Sequence, residues 1–292
     1  LDEIQLAPDC PRAIKYLFDH KGIKFIVTGS SSYYLKNLFT ESLAGRKKVF
    51  ELYPLDFGEF LEFKEVKSVA TNWQKKSFDK DEYNRLAIYY EEFIKFGGFP
   101  QVVLAESELA KKDILSDIMS SYINIDVRSL ADFTDERNLY LLAKLLATRV
   151  GNRVEYNTLA KLTGLSRQTV TNYLTFFEKT YLVHTVPVYT NNTGREIVKA
   201  RKLYFCDTGL ANTLAEISSG AMFENTVYNQ IMKQGTVQYF ALKTGNEIDF
   251  VFDGKLAVET KETPTDSDLS NLRRLAETAG LEEMILISRN CS

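Results

Sequence analysis

The sequence predicts a multidomain protein of mixed class, α/β over its first sixty residues and α+β beyond them. Three patterns carry that reading. Strand and helix signals alternate over 1–60, a helix–turn–helix–hairpin succession occupies 155–205, and the tail runs helix, strand, hairpin, helix, strand. With 292 residues, 45% of them apolar, the chain can bury a core in two or three domains. No apolar run approaches the roughly 18 residues of a membrane helix, and no leader is visible, so a cytoplasmic protein without membrane contact is expected. Cys10, Cys206 and Cys291 are widely spaced and match no metal spacing. His20 and His184 are the only histidines, which excludes a histidine-rich zinc site and weakens any serine or cysteine hydrolase reading.

The elements follow in order. PDCPRAIKYLFDHKG places Ile14, Leu17 and Phe18 on one helical face before Gly22. KFIVTGSS reads as a buried strand, SSYYLKNLF as a short helix, and KKVFELYPL as a second strand stopped by Pro54. Two strands alone make no parallel sheet, and the chain opens on Leu-Asp-Glu rather than Met, so it is expected to be a piece of a longer protein. From Asp56 to Val150 the pattern is helical, interrupted at Gly97-Gly98-Phe99-Pro100, which reads as a rigid turn. Over 155–189 a short helix, a turn at Gly164 and an N-cap at Ser166 precede a second helix and an extended apolar strand. TNNTG then returns the chain through IVKARKLYFCD. That order describes a winged helix-turn-helix.

Charge is unevenly placed. The chain carries a net −3, yet the window 151–205 is +5 and the remainder −8. A localised polyanion surface and a merely solvated basic face both fit. In the second helix Arg167, Gln168, Thr171 and Asn172 stand in the half that would meet base edges. Arg195, Lys199, Arg201 and Lys202 of the wing would take phosphates. Packing against another part of the protein or dimerisation is the alternative use of such a module.

The stretch NEIDFVFDGKLAVETKET holds charge where strands usually avoid it. Asp249 and Glu259 fall on paired strands across the Asp253-Gly254 turn, and Lys261 shares a face with Glu259. With Glu224 from the preceding helix, these carboxylates could hold Mg²⁺ or Mn²⁺, Lys261 assisting at a phosphate. The plainer reading is a cross-strand ion pair between Glu259 and Lys261. A metal requires Glu224, Asp249 and Glu259 to converge with the Lys261 amine beside them; a Glu224 turned away favours a scaffold. The tripeptide Asp207-Thr208-Gly209 lacks the second Asp and β context of an aspartic protease, and the paired aromatics read as packing.

The helix glutamate, the D-x9-E-x-K hairpin and the closing helix resemble a PD-(D/E)XK nuclease-like domain. LDEIQ, IVTGSSSYYL, LAGRKKVFELYPLDFGEF, FGGFPQVV, KLYFCDTGL, FENTVYNQ and NEIDFVF resemble, in this order, prokaryotic AAA+-like ATPases with a winged helix and a C-terminal nuclease-like domain of unknown function. The resemblance implies a partial P-loop ATPase α/β core (1–60), a helical region (61–150), a winged helix (151–205) and the nuclease-like domain (206–292). It implies ATP and Mg²⁺ in the intact protein, with Asp2 holding the metal, Glu3 polarising water, and Ser30 and Ser31 near the γ-phosphate. Arg46 would be the arginine finger, in cis or on a neighbouring subunit of a homo-oligomer. No G-x-x-x-x-G-K-[ST] loop occurs in the sequence, so this chain by itself is not expected to hydrolyse ATP. Action on DNA, with a metal-dependent nuclease tail, is the expected function. A non-catalytic nuclease-shaped scaffold, or a regulator with a protein partner, is the alternative.

Overall fold

The computed structural model describes residues 1–4, 7, 9–29, 48–67, 79–123, 136–190 and 200–290. Over the first of these, α1 (Cys10–Lys21) forms as expected and is closed by Gly22, whose φ of 65° suits the left-handed cap. The two expected strands around it do not form as such among the described residues. Residues 26–28 instead bond to residues 1–4: Leu1 N donates to Ile26 O, Thr28 N to Leu1 O and Ile4 N to Thr28 O. Among the described residues these two short segments have no further strand paired beside them.

A helical layer follows: α2 (Phe57–Phe63), α3 (Lys80–Phe96), α4 (Pro100–Leu104), α5 (Glu108–Ser121) and α6 (Glu136–Ala147). Asp56 and Glu59 form a reciprocal capping box that fixes where α2 starts. The Gly97–Pro100 turn joins α3 to α4; Gly97 has a φ of 75°, and a Cβ on Gly98 would stand 2.2 Å from Leu55 O. The turn is thus glycine-dependent on both counts.

Next come α7 (Tyr156–Thr163), α8 (Arg167–Lys179), β1 (Val183–Val186) and β2 (Lys202–Phe205). Gly164 at φ 71° ends α7, and Ser166 Oγ accepts Thr169 N at the start of α8. Val170, Tyr173, Leu174, Phe176 and Phe177 bury one face of α8 in a core that runs from Phe96 to Leu214. β1 and β2 pair antiparallel, Val183 against Phe205. Residues 151–154 flank β2 on its other side, through Gly151 N to Leu203 O, Leu203 N to Asn152 O and Val154 N to Arg201 O.

The tail comprises α9 (Thr208–Leu214), α10 (Ser219–Ile231), β3 (Val237–Ala241), β4 (Glu247–Phe252), β5 (Leu256–Lys261), α11 (Asp266–Ala279) and β6 (Glu283–Ser288). Its sheet has the order β3-β4-β5-β6, with β5 and β6 parallel and the other pairs antiparallel. The β4–β5 turn uses Asp253 at φ 49° and Gly254 at φ 66°, the left-handed pair of an Asp-Gly hairpin. Tyr189 N donates to Tyr239 O and Tyr239 N to Pro187 O, so the segment after β1 is joined to the edge of this sheet. Among the described residues no helix is long and apolar enough to cross a membrane.

Candidate functional site

Four carboxylates and three cations meet where β2, α10, β4 and β5 converge. β2 is held there by Asn225 of α10, which copies a neighbouring strand: its Oδ1 accepts Phe205 N at 2.7 Å and its Nδ2 donates to Phe205 O at 2.9 Å. Alternation along β2 then turns Lys202 and Tyr204 to one face, toward Glu224 one residue before Asn225. Lys202 is 1% exposed. Its Nζ lies 3.0 Å from Glu247 Oε1, 3.2 Å from Glu224 Oε1 and 3.5 Å from Asp249 Oδ1.

The other oxygens have partners of their own. Tyr204 Oη donates to Glu224 Oε1 at 2.6 Å. Asp249 Oδ2 accepts Thr260 N at 2.9 Å and Thr260 Oγ1 at 2.8 Å, and Glu259 Oε2 accepts Asp249 N at 3.3 Å. Lys261 Nζ pairs with Glu259 Oε1 at 2.8 Å, and Arg153 Nη2 with Glu247 Oε2 at 2.8 Å. A cavity of about 550 Å³, lined in part by Arg149, Asn152, Arg153 and Glu247, opens beside the cluster.

The electrostatics follow from that count. Burial by itself would lower the Lys202 pKa, but Glu224, Asp249 and Glu247 outweigh it and raise it, so the ammonium stays charged. One carboxylate is in surplus. Burial, then the charge of Asp249, push Glu224 up to about 7 against the lowering pull of Lys202 and Tyr204. Burial and Asp249 also raise Glu259, with Lys261 opposing them.

Asp249 therefore has Glu224 on one side and Glu259 on the other, and Lys261 stands beside Glu259. They do not make a metal centre. Among the described residues no group of three or more His, Cys, Asp or Glu is arranged to hold a metal ion. An ammonium already occupies the space between Glu224 and Asp249, and backbone, hydroxyl and Lys261 donors take other oxygens of the set. The donor set does not fit a divalent cation.

Lys202 corrects the sequence reading in a second respect. Expected on the wing as a phosphate contact, it is buried, and Arg153 of the same basic window is tied to Glu247. Sequence reasoning missed Lys202, Tyr204, Glu247 and Arg153 as parts of the cluster. A readable trace existed: in KLYF the lysine and tyrosine share the face of a strand whose every residue is buried.

The first half of α8 has a different character. Arg167, Gln168 and Asn172 are exposed and Thr171 is half-buried; Gln168 Nε2 donates to Asn172 Oδ1 at 2.9 Å, and Thr171 Oγ1 to Arg167 O at 2.9 Å. Lys161, Lys179 and Arg201 are exposed nearby in sequence. Arg195 and Lys199 lie outside the described residues, as do Ser30, Ser31 and Arg46. At the start of the chain Thr28 Oγ1 donates to Asp2 Oδ1, and Glu3 N donates to Thr28 Oγ1 at 3.3 Å, so the Asp-Glu pair adjoins the end of the IVTG segment.

Residues 1–61 match the model of an AAA domain. Residues 88–221 match a domain of unknown function (DUF8612), and residues 219–290 another (DUF4143). The AAA match is confined to the first 61 residues, and the other two matches carry no assigned function. An uncharacterized protein of Methanocaldococcus jannaschii is 28% identical over 302 residues, covering 98% of this chain and 66% of the relative. An uncharacterized protein of Haemophilus influenzae is 30% identical over 261 residues, covering 86% of this chain and 61% of the relative. A second M. jannaschii protein, also uncharacterized, is 23% identical over 266 residues, covering 86% and 55% respectively. The chain thus spans between 55% and 66% of the length of these relatives. No solved structure matches it. Asp2 and Glu3 fall inside the segment that matches the AAA domain.

Proposed function

We propose that the intact protein is an AAA-like ATPase that acts on DNA, with 151–205 as a winged helix presenting α8 to the duplex. The observation that carries this reading is the division of α8. Its buried face closes the core, while Arg167, Gln168 and Asn172 at its N-terminal half are exposed, with the Gln168 side chain donating to that of Asn172. A helix built in this way can enter a major groove without disturbing its own packing. Asp2 and Glu3 would serve Mg²⁺ and water at the nucleotide, Ser30 and Ser31 its γ-phosphate, and Arg46 the transition-state charge, once a phosphate loop is supplied.

The test is binding of the 292-residue chain to a labelled duplex across a salt series. Binding should weaken steeply with salt, and Arg167→Ala should flatten the log–log slope by about 1. Absence of binding at low salt, or a slope unmoved by Arg167→Ala together with Gln168→Ala, would sink the proposal and favour a protein partner or a dimer interface.

For the tail a second reading is favoured by a specific observation. Because the Lys202 ammonium stands among Glu224, Glu247 and Asp249, we take 206–292 as a nuclease-shaped scaffold that does not cut. Supercoiled plasmid incubated with Mn²⁺ should stay intact. Nicking that Lys261→Ala abolishes would restore the cutting role to Asp249, Glu259 and Lys261.

A further inference from the structure

We propose that the Lys202 ammonium is the built-in cation of the tail pocket, pairing with Glu224, Glu247 and Asp249 in place of a divalent ion and keeping such ions out. The inference deepens the scaffold reading and rests on it. An ammonium has three N–H donors, and Nζ of Lys202 has three carboxylate oxygens, from three different side chains, within 3.5 Å. At 1% exposure the charge has lost its water, a penalty tolerated only where close opposite charges replace the solvent. Geometry keeps the amine in place. β2 is bonded on one side to β1 and on the other to 151–154, and Asn225 pins its end to α10.

The pocket is not sealed, since Glu247 lines the adjoining cavity. Ions from solvent therefore reach its edge and are turned away by charge already present, not by a wall. Lys202 also belongs to the β1–β2 pair, whereas Asp249 belongs to the tail sheet. The same amine thus fastens the DNA-facing unit to the tail.

The test uses the 292-residue chain and Mn²⁺ itself. Wild type should show no saturable Mn²⁺ binding by calorimetry, and no paramagnetic broadening at Asp249 or Glu224. Lys202→Met should gain saturable binding and an Mn²⁺-dependent rise in Tm, both lost again when Asp249→Asn is added. Wild-type Mn²⁺ binding that Asp249→Asn removes overturns the inference, and so does a folded Lys202→Met protein that takes up no Mn²⁺. Should Lys202→Met fail to fold, the ammonium protons of wild-type Lys202, assigned by their loss in Lys202→Arg, decide the matter. Slow exchange with water supports the built-in cation, and fast exchange overturns it. Wild-type Mn²⁺ binding at Asp249 without plasmid nicking would remove this inference alone, whereas nicking by wild type would remove the scaffold reading as well.

Discussion

Among the described residues carboxylates are buried in two places, and by different means. Asp207 is 2% exposed at the N-cap of α9, where its Oδ2 accepts Gly98 N at 2.7 Å and its Oδ1 accepts Leu210 N at 3.0 Å. Its partners are backbone amides, which ties the Gly97–Pro100 turn to the start of α9. Burial pushes its pKa up to about 6, and the N–H groups of Gly98, Leu210 and Gly209 hold it from going further. In the tail pocket the partners are ammonium and guanidinium groups, and several acids share them. One isolated acid can be carried by a turn and a helix N-terminus; a cluster of four needs cations brought from elsewhere in the chain. Difference in partner predicts difference in failure.

Removing the cation should have the largest effect. Lys202→Met leaves buried Asp249 facing the half-buried Glu224 and Glu247 with no cation between them, and should cost about 3–5 kcal/mol in urea denaturation at neutral pH. Adding Glu224→Gln should return part of that loss, with a coupling on the order of 1–3 kcal/mol. Additive effects would mean that the two groups do not interact.

The amide-held site should break through its backbone. Gly98→Ala brings a Cβ to 2.2 Å from Leu55 O, and Gly209→Ala to 2.1 Å from Phe96 O. Either should destabilise by about 3 kcal/mol or more in urea denaturation. A loss under about 1 kcal/mol would show that the turn relaxes readily.

Acidity separates the sites further. Asp207 binds its proton more tightly when folded, at about 6 against the ordinary 3.8 of an aspartate. Its contribution is fully present below about pH 4, declines as the pH rises to about 6, and is then constant, a span of roughly 3 kcal/mol. His184 works in the opposite direction: burial lowers it from 6.5 to about 4, so its contribution is lost as the pH falls from about 6.5 to about 4. The two slopes oppose each other between about pH 4 and 6. Asp207→Asn should expose the His184 slope in a denaturation series, and the His184 ring should stay neutral by NMR down to about pH 4. A ring that titrates near 6.5 would contradict its burial.

The smallest effect belongs to the partly exposed pair. Lys261 is 38% exposed, so Lys261→Ala should change stability by no more than about 1 kcal/mol. A larger loss would make Lys261, rather than Lys202, the cation on which the pocket depends.

What the sequence by itself determined is local. Ser166 and Gly164 delimit α7 and α8, Asp253-Gly254 sets the hairpin, and alternation puts Glu259 and Lys261 on one face. These depend on residues a few positions apart, where capping, turn chemistry and strand period act directly. The strands expected near 24–28 and 48–53 were not legible in the same sense, because a strand is completed by neighbours that its own residues do not name. Only the tertiary structure decided which cation serves the acids. Lys202 reaches Glu224 across 22 positions and Asp249 across 47, because Asn225 grips β2 and the segment after β1 joins the tail sheet. A basic side chain in a basic stretch reads as a surface charge. Its burial among three carboxylates is a property of how distant strands and helices pack, and that packing turns an apparent metal site into one filled by the protein's own ammonium.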